Sequence, residues 1–194
     1  IPVITYTVSD GNGGTDTSAL TLSMSAANDA PTDGDETATV TEDTTLNVNA
    51  ASGLLANGTD IDGGALSVTG FTVAGEAGPF VVGTPYVISG VGTLAINANG
   101  SYSFAPAANY TGAIPVVTYT VSDGNGGTDT RTLTLSMSAV NDAPLDGDET
   151  ATVTEDVTLT VNAASGLLAN ASDIDGGALS ITGVPSIKTP FEPL

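Results

Sequence analysis

Aspartate and glutamate are the side chains of this sequence with the most chemistry to offer. The 194 residues contain 22 of them against two lysines and arginines, so the formal net charge is −20, and there is no histidine or cysteine. Ser-His and Cys-His nucleophile pairs, imidazole or thiolate metal sites and disulfides are therefore excluded. Nucleic acid and anionic membrane surfaces are excluded as partners, because both are bound through lysine and arginine.

The acids gather in a few short, turn-rich stretches. Between residues 28 and 140 these stretches are Asn28–Asp29, Glu42–Asp43, Asp60–Gly63 and Asp123–Asn125. Carboxylates without basic partners repel each other unless a cation neutralises them, and Ca²⁺, which takes about six to eight oxygen ligands, suits this set. No EF-hand is present, because Phe71 and Thr134 stand where its bidentate glutamate is required. A purely structural alternative stays open, since Asp-x-Asp-Gly is also an ordinary turn sequence.

An internal repeat of 113 residues divides the chain. Residues 1–27 recur at 114–140 with 23 of 27 positions identical, and residues 28–70 recur at 141–183 with 37 of 43 identical. We therefore predict the last two strands of one repeat at 1–27, a complete repeat of ordinary domain size at 28–140 and the first half of another at 141–194.

Two explanations of the incomplete flanks remain open. The chain is either a window of a longer array, or a fibre subunit whose C-terminal half accepts the N-terminal hairpin of another copy by strand addition. The second explanation predicts a head-to-tail homo-oligomer. Its joined halves would still lack the counterpart of residues 76–113.

Composition and residue alternation predict an all-β protein. Valine, isoleucine and threonine favour strands, glycine and asparagine favour turns, and no apolar run is long enough for membrane insertion. Alternation predicts strands at 36–41, 45–50, 65–73, 80–89, 93–97, 101–104, 115–122 and 130–139. Asn99-Gly100 predicts a type I′ turn, Tyr119 occupies the position of a tyrosine corner, and residues 52–57 are the one place for a helical turn. The whole predicts a Greek-key immunoglobulin-like or cadherin-like β-sandwich.

Alternating strand directions sort the acids to two poles of such a sandwich. The loop after the second strand and the last hairpin both return to the pole where the chain enters, which brings together Asn28, Asp29, Asp60, Asp62 and Asp123. The first turn reaches the opposite pole. There it faces the next linker and loop, which brings together Glu42, Asp43, Asn141, Asp142, Asp173 and Asp175.

Four motifs carry a family resemblance that extends to about Gly183. They are Tyr-Thr-Val-Ser-Asp-Gly-Asn-Gly-Gly-Thr at 6–15 and 119–128, the linker Asn-Asp-Ala-Pro, the block Ser-Gly-Leu-Leu-Ala-Asn with Asp-Ile-Asp-Gly, and Asn-Gly-Ser-Tyr-Ser-Phe-Ala-Pro at 99–106. The chain resembles the cadherin-like and VCBS-type immunoglobulin-like repeats of large bacterial RTX-type adhesins. This resemblance implies a secreted, surface-tethered rod with Ca²⁺ at its domain junctions.

The resemblance also implies roles at the junction. By likeness to cadherin junctions, Glu42 corresponds to the upstream carboxylate, Asn141 and Asp142 to the linker ligands, and Asp173 and Asp175 to the downstream pair. The linker is shorter than the cadherin Asp-x-Asn-Asp-Asn string, which puts three ions per junction in question.

We therefore predict a non-enzymatic extender of an extracellular adhesin or matrix fibre, stiffened by calcium, whose partners are neighbouring repeats. A ligand-binding module is an alternative. It is disfavoured because the aromatic residues lie in strand patterns as core or corner residues. A glycosidase needs one carboxylic acid held neutral in an apolar pocket, whereas the acids here lie in polar turns.

Overall fold

Ten strands make up the regular structure of residues 1–184, the part of the chain that the computed structural model describes. They are β1 Ile4–Ser9, β2 Thr15–Leu20, β3 Glu36–Thr41, β4 Leu46–Val48, β5 Ser67–Val73, β6 Tyr86–Ile88, β7 Gly92–Ile96, β8 Tyr102–Pro106, β9 Val117–Ser122 and β10 Thr128–Ser138. Two 3₁₀ helices, Ala50–Ser52 and Ala163–Ser165, complete the set. Residues 185–194 of the predicted second half-repeat lie outside the described part.

Residues 28–140 form a sandwich of two four-stranded sheets. One sheet has the strand order β3-β10-β9-β5 and the other the order β4-β8-β7-β6. The chain changes sheet between β3 and β4, between β4 and β5, between β5 and β6, and again between β8 and β9, which is the connectivity of an immunoglobulin-like Greek key. The prediction of an all-β sandwich is confirmed.

Residue alternation explains why these segments face each other. In β9, Val117, Tyr119 and Val121 are fully buried, whereas the intervening threonines and serine point outward. The opposite sheet contributes Leu94, Ile96 and Phe104 to the same core. Each fully buried aliphatic or aromatic side chain stabilises the fold by about 1.5–3 kcal/mol relative to exposure.

The last strand joins the sheet through two partners. Its first half, Thr128–Leu133, pairs antiparallel with β9, and its second half, Leu133–Ser138, pairs parallel with β3. The chain therefore leaves the sandwich at the end of β10, beside the turn that follows β3. This arrangement carries the linker at 141–144 toward Glu42.

Three local predictions were wrong in part. The segment predicted as a strand at 80–89 is a strand only over β6, because Gly83 and Pro85 interrupt it, and Phe80 makes an isolated bridge to Phe71. The Asn99-Gly100 hairpin forms, but only Gly100 has a positive φ, of 82°, so the turn is not type I′. The helical turn lies at Ala50–Ser52 and overlaps the predicted segment 52–57 only at Ser52.

Tyr119 departs from a tyrosine corner in its partners. Its hydroxyl lies 3.0 Å from the carbonyl oxygen of Gly34 and 3.2 Å from that of Leu54, which are 85 and 65 residues away in sequence. A tyrosine corner bonds to backbone only a few residues upstream. Tyr119 instead ties β9 to the segments before β3 and after the first 3₁₀ helix.

The two flanks differ from the complete repeat. Strands β1 and β2 form an antiparallel hairpin that pairs with no other described strand. Residues 141–184 contain an isolated bridge between Leu145 and Ser172 but no strand. Within residues 1–184, no helix is long and apolar enough to cross a membrane.

Candidate metal centre

Three carboxylates meet where the complete repeat joins the segment that follows it. Glu42, Asp142 and Asp175 each contribute an oxygen, and these oxygens all lie within 4.8 Å of one another. We call them the C-pole cluster. They come from the turn after β3, the linker and the next Asp-Ile-Asp loop, so one cluster connects three separate segments of chain.

Glu42 lies beneath the linker. Its side chain is only 2% exposed, and its Oε2 accepts a hydrogen bond of 2.8 Å from the Val140 backbone N–H. The backbone N–H of Glu42 donates to the carbonyl oxygen of Ser138, at the end of β10. Glu42 is thus fixed by two contacts with the segment that leads into the linker.

The linker and the following loop hold each other in place. The Asp142 N–H donates to Asp175 Oδ2 at 2.5 Å, and the Asp175 N–H donates to Asp173 Oδ1 at 2.9 Å. Partial burial raises the pKa of Asp142, and the negative charges of Asp175, Asp43, Glu42 and Asp173 raise it further. Several negatively charged side chains therefore surround Asp142.

Asp43 and Asn141 lie beside the C-pole cluster with other partners. Asp43 Oδ1 accepts a hydrogen bond of 2.8 Å from the backbone N–H of Asn109. The Asn141 side-chain amide donates to the carbonyl oxygen of Asp142 at 2.8 Å. Both residues were predicted as metal ligands, and in this structure they shape the backbone around the three carboxylates.

Asn109 is the residue of this pole that sequence reasoning missed. It belongs to the connection between β8 and β9, and one terminal atom of its side-chain amide lies 3.1 Å from Asp142 Oδ2 and 3.2 Å from Asp43 Oδ2. The strand-direction reasoning that placed Glu42 at this pole would have placed the β8–β9 connection there as well.

The opposite pole of the complete repeat brings together the other predicted residues. The Asn28 side-chain amide donates to Asp123 Oδ2 at 2.7 Å, and the Asp29 N–H donates to Asp62 Oδ2 at 2.6 Å. Asp60 Oδ1 accepts a hydrogen bond of 2.8 Å from the Asp62 N–H. We call these five residues the N-pole cluster.

Two acids of the N-pole cluster differ in how they are satisfied. Asp123 is 4% exposed; its Oδ1 accepts the N–H groups of Asn125 and Gly127 at 2.7 and 3.0 Å, and its Oδ2 accepts the Asn28 amide. The Asn28 bond, followed by the two backbone bonds, lowers the pKa of Asp123. Asp60 Oδ2 is buried and has no hydrogen-bond partner among the described residues.

Comparison with known families decides what kind of domain this is. A family model described as a bacterial cadherin-like domain matches residues 28–139, and one described as a cadherin-like domain matches residues 140–190. The chain belongs to the bacterial cadherin-like domain family. Cadherin-like domains are non-enzymatic structural modules with a role in adhesion or spacing, and the bacterial ones are typically extracellular or on the cell surface.

Solved structures similar to this bacterial cadherin-like chain are distant. One is a nucleoside hydrolase-related hypothetical protein from Saccharophagus degradans associated with carbohydrate metabolism, with 18% identity, a TM-score of 0.40, and coverage of 58% of this chain and 26% of that chain. Another is the endo-fucoidan hydrolase MfFcnA4 H294Q of glycoside hydrolase family 107, with 14% identity, a TM-score of 0.37, and coverage of 74% and 21%. The chain thus spans about a quarter or less of either protein. No curated protein matches it significantly.

The C-pole cluster of this cadherin-like chain fits a calcium ion by its chemistry and its spacing. Ca²⁺ prefers oxygen ligands at about 2.3–2.6 Å, so two of its ligand oxygens can be up to about 5 Å apart. The three carboxylate oxygens, within 4.8 Å of one another, meet that limit. Zinc and copper would favour the imidazole and thiolate groups that this sequence lacks.

Proposed function

We propose that the chain is a spacer of an extracellular bacterial adhesin or matrix fibre, in which Ca²⁺ holds successive cadherin-like repeats in a fixed orientation. The observation that carries the proposal is the C-pole cluster, in which carboxylates of one repeat, its linker and the next segment share a space of 4.8 Å. The partners of each repeat are its neighbours in the same array. The RTX-type adhesin class remains a prediction.

Charge supplies the mechanism of stiffening. Without a cation, Glu42, Asp142 and Asp175 repel one another across the joint. The pKa of Asp142 is raised by partial burial and, after that, by this repulsion. With a divalent cation between them, the same oxygens are all attracted to the ion. The ion therefore favours the conformation in which the linker lies against Glu42. As a result, the distribution of angles between successive repeats becomes narrower.

The N-pole cluster supports a second ion position within each repeat. Asp60 Oδ2 is buried and has no partner within residues 1–184, and leaving such an oxygen unsatisfied is costly. Asp62 accepts the N–H of the linker residue Asp29, and the Asn28 amide donates to Asp123, so the start of the linker is held against this pole. Extracellular modules bind calcium at roughly 10⁻⁴ to 10⁻³ M, which would fill these sites outside cells and leave them empty in the cytosol.

A calcium titration of the whole chain tests the proposal. We expect the Val140 and Asp142 amide resonances to shift between about 0.1 and a few millimolar calcium, because Val140 bonds to Glu42 and Asp142 belongs to the cluster. In Glu42→Gln, which keeps the side-chain shape and an acceptor for Val140, we expect the apparent affinity of this site to fall at least about tenfold.

Glu155→Gln is the matched control, because Glu155 is the counterpart of Glu42 one repeat later and is exposed. It should leave the affinity read from Val140 and Asp142 unchanged. The proposal fails if those two amides do not respond to about 10 mM calcium, a concentration above the expected range. It also fails if Glu42→Gln binds as the unaltered chain does.

A further inference from the structure

We propose that Asn109 is a positioning residue that clamps the linker to the complete repeat through hydrogen bonds, without any cation. Its amide group joins Asp43 of the repeat to Asp142 of the linker. The inference goes beyond the proposed function, because it concerns the order of the junction when calcium is absent.

The backbone first places Asn109 beside Asp43. The Asn109 N–H donates to Asp43 Oδ1 at 2.8 Å, and both residues adopt a positive φ of 55°. Such a conformation is uncommon outside glycine and is best tolerated by asparagine and aspartate. Two turns from different parts of the sandwich, one after β3 and one after β8, thus dock through a side chain and a backbone amide.

The neighbouring carboxylates then determine which terminal atom of the Asn109 side chain is the nitrogen. One of its terminal atoms lies 3.1 Å from Asp142 Oδ2 and 3.2 Å from Asp43 Oδ2. An oxygen at that position would face two carboxylate oxygens and repel both. A nitrogen carries two hydrogens and can donate one to each, so the nitrogen belongs there.

A neutral hydrogen-bond donor between two carboxylates reduces their repulsion, as a cation would do to a greater extent. Hydrogen bonds to ionised groups are stronger than those between neutral groups. The Asn109 amide lowers the repulsion between Asp43 and Asp142 and adds no charge of its own. The linker therefore stays docked on the repeat in low calcium. Calcium then only reduces the range of angles between the repeats.

Hydrogen exchange of the whole chain in a chelator tests the clamp. Asn109→Gly removes the amide and keeps the positive φ available. We expect the backbone amide of Val140, which bonds to Glu42 of the repeat, to exchange roughly tenfold faster in this variant, the loss anticipated for a hydrogen bond to a charged group. Asn109→Asp should increase exchange further in the chelator, because it places a third carboxylate between the other two.

Asn47→Asp controls for the added charge. Asn47 is exposed on β4, and its amide makes a 3.4 Å contact with the Thr45 carbonyl oxygen. We expect Asn47→Asp to leave the exchange of the linker amides unchanged. Protection of the β9 and β10 amides should be the same in all variants, which confirms that the sandwich is intact.

The competing assignment makes the Asn109 oxygen a direct ligand of a shared cation. It predicts that Asn109→Gly leaves exchange in the chelator unchanged and weakens calcium binding at least about tenfold, and this result would overturn the clamp. Unchanged exchange together with unchanged calcium binding would overturn it as well. If the unaltered chain binds no calcium, the proposed function fails, yet the exchange rates in the chelator still decide on Asn109.

Discussion

Two copies of one sequence block have different structures in this molecule. Residues 28–70 and 141–183 are identical at 37 of 43 positions. The first copy contains β3, β4 and the first part of β5, and it buries Val40, Leu54 and Val68 to 1% exposure or less. The second copy has no strand within its described residues, and Val153, the counterpart of Val40, is 64% exposed.

The two copies of the hairpin show what separates them. Strands β1 and β2 pair as β9 and β10 do, since both pairs are close in sequence and share the same turn. However, β2 ends at Leu20, whereas β10 continues past Leu133 to Ser138, where it pairs with β3. The hairpin therefore forms from residues close in sequence, whereas the extension of β10 beyond Leu133 depends on pairing with the distant β3.

This sequence therefore forms these strands only where a partner strand is available to pair with them. The segment 149–154 has the same residues as β3, but β3 is an edge strand whose only partner is β10. In the described residues, nothing pairs with 149–154 in the way that β10 pairs with β3. By contrast, the Asp-x-Asp loops and linkers keep the same hydrogen bonds in both copies, because those bonds lie within about 35 residues of chain.

The largest effect should come from a core residue that has an exposed twin. Leu133 is fully buried, and its counterpart Leu20 is 47% exposed. We expect Leu133→Ala to lower the free energy of unfolding by about 2–5 kcal/mol, because it leaves a cavity between the sheets. Leu20→Ala should change it by less than about 0.5 kcal/mol. Calorimetric unfolding of the whole chain measures both, and similar losses would show that the hairpin β1–β2 is packed in solution.

Much of the fold was predictable from sequence, because it follows from alternation. The bounds of β3 agree with the predicted 36–41, and β9 lies within the predicted 115–122. The turn at Asn99-Gly100 was predicted as a hairpin but of the wrong type, because residue preferences favour positive φ at asparagine without requiring it. The parallel contact of β10 with β3 joins residues 97 positions apart, and no local pattern reveals it.

The candidate site was predictable as two poles and unpredictable in its contacts. Strand direction predicted that Glu42 would face Asp142 and Asp175, and the structure places these three together. It could not show that Asp123 uses both oxygens in hydrogen bonds, since the tie to Asn28 spans 95 residues. Asn109 was not predicted, because the site was sought among clustered acidic residues and Asn109 is a neutral residue in a loop without acids.

A smaller effect should follow from the hairpin turn. Asp123 and Asp10 both accept two backbone N–H groups of their own turns, but only Asp123 also accepts the amide of Asn28. In chelator, we expect Asp123→Asn to lower the melting temperature by roughly 2–4 °C through loss of that charged tie. Asp10→Asn should leave the melting temperature unchanged. Equal shifts for the two variants would mean that Asn28 contributes nothing to stability.

The smallest effect should appear in the pH dependence of stability. Burial raises the pKa of Glu36, the nearby charge of Asp33 raises it further, and Glu36 Oε1 is buried without a partner among residues 1–184. An acid with a raised pKa in the folded state favours folding most below its ordinary value of 4.5, and this contribution is lost as the pH rises through the folded-state pKa. Glu36→Gln should therefore be more stable than the unaltered chain at pH 7, by up to about 1 kcal/mol, and lose that advantage near pH 4.

Its exposed counterpart Glu149 provides the control for this pH effect. Glu149→Gln removes the same charge from the second copy of the block, where the side chain is in water and no sheet forms around it. We expect it to change stability equally little at both pH values. Denaturant unfolding followed by tyrosine fluorescence reports on the sandwich directly, since Tyr102 and Tyr119 lie in its core. An advantage of Glu36→Gln that is the same at pH 4 and pH 7 would show that shape, and not burial of the charge, distinguishes the two copies at this position.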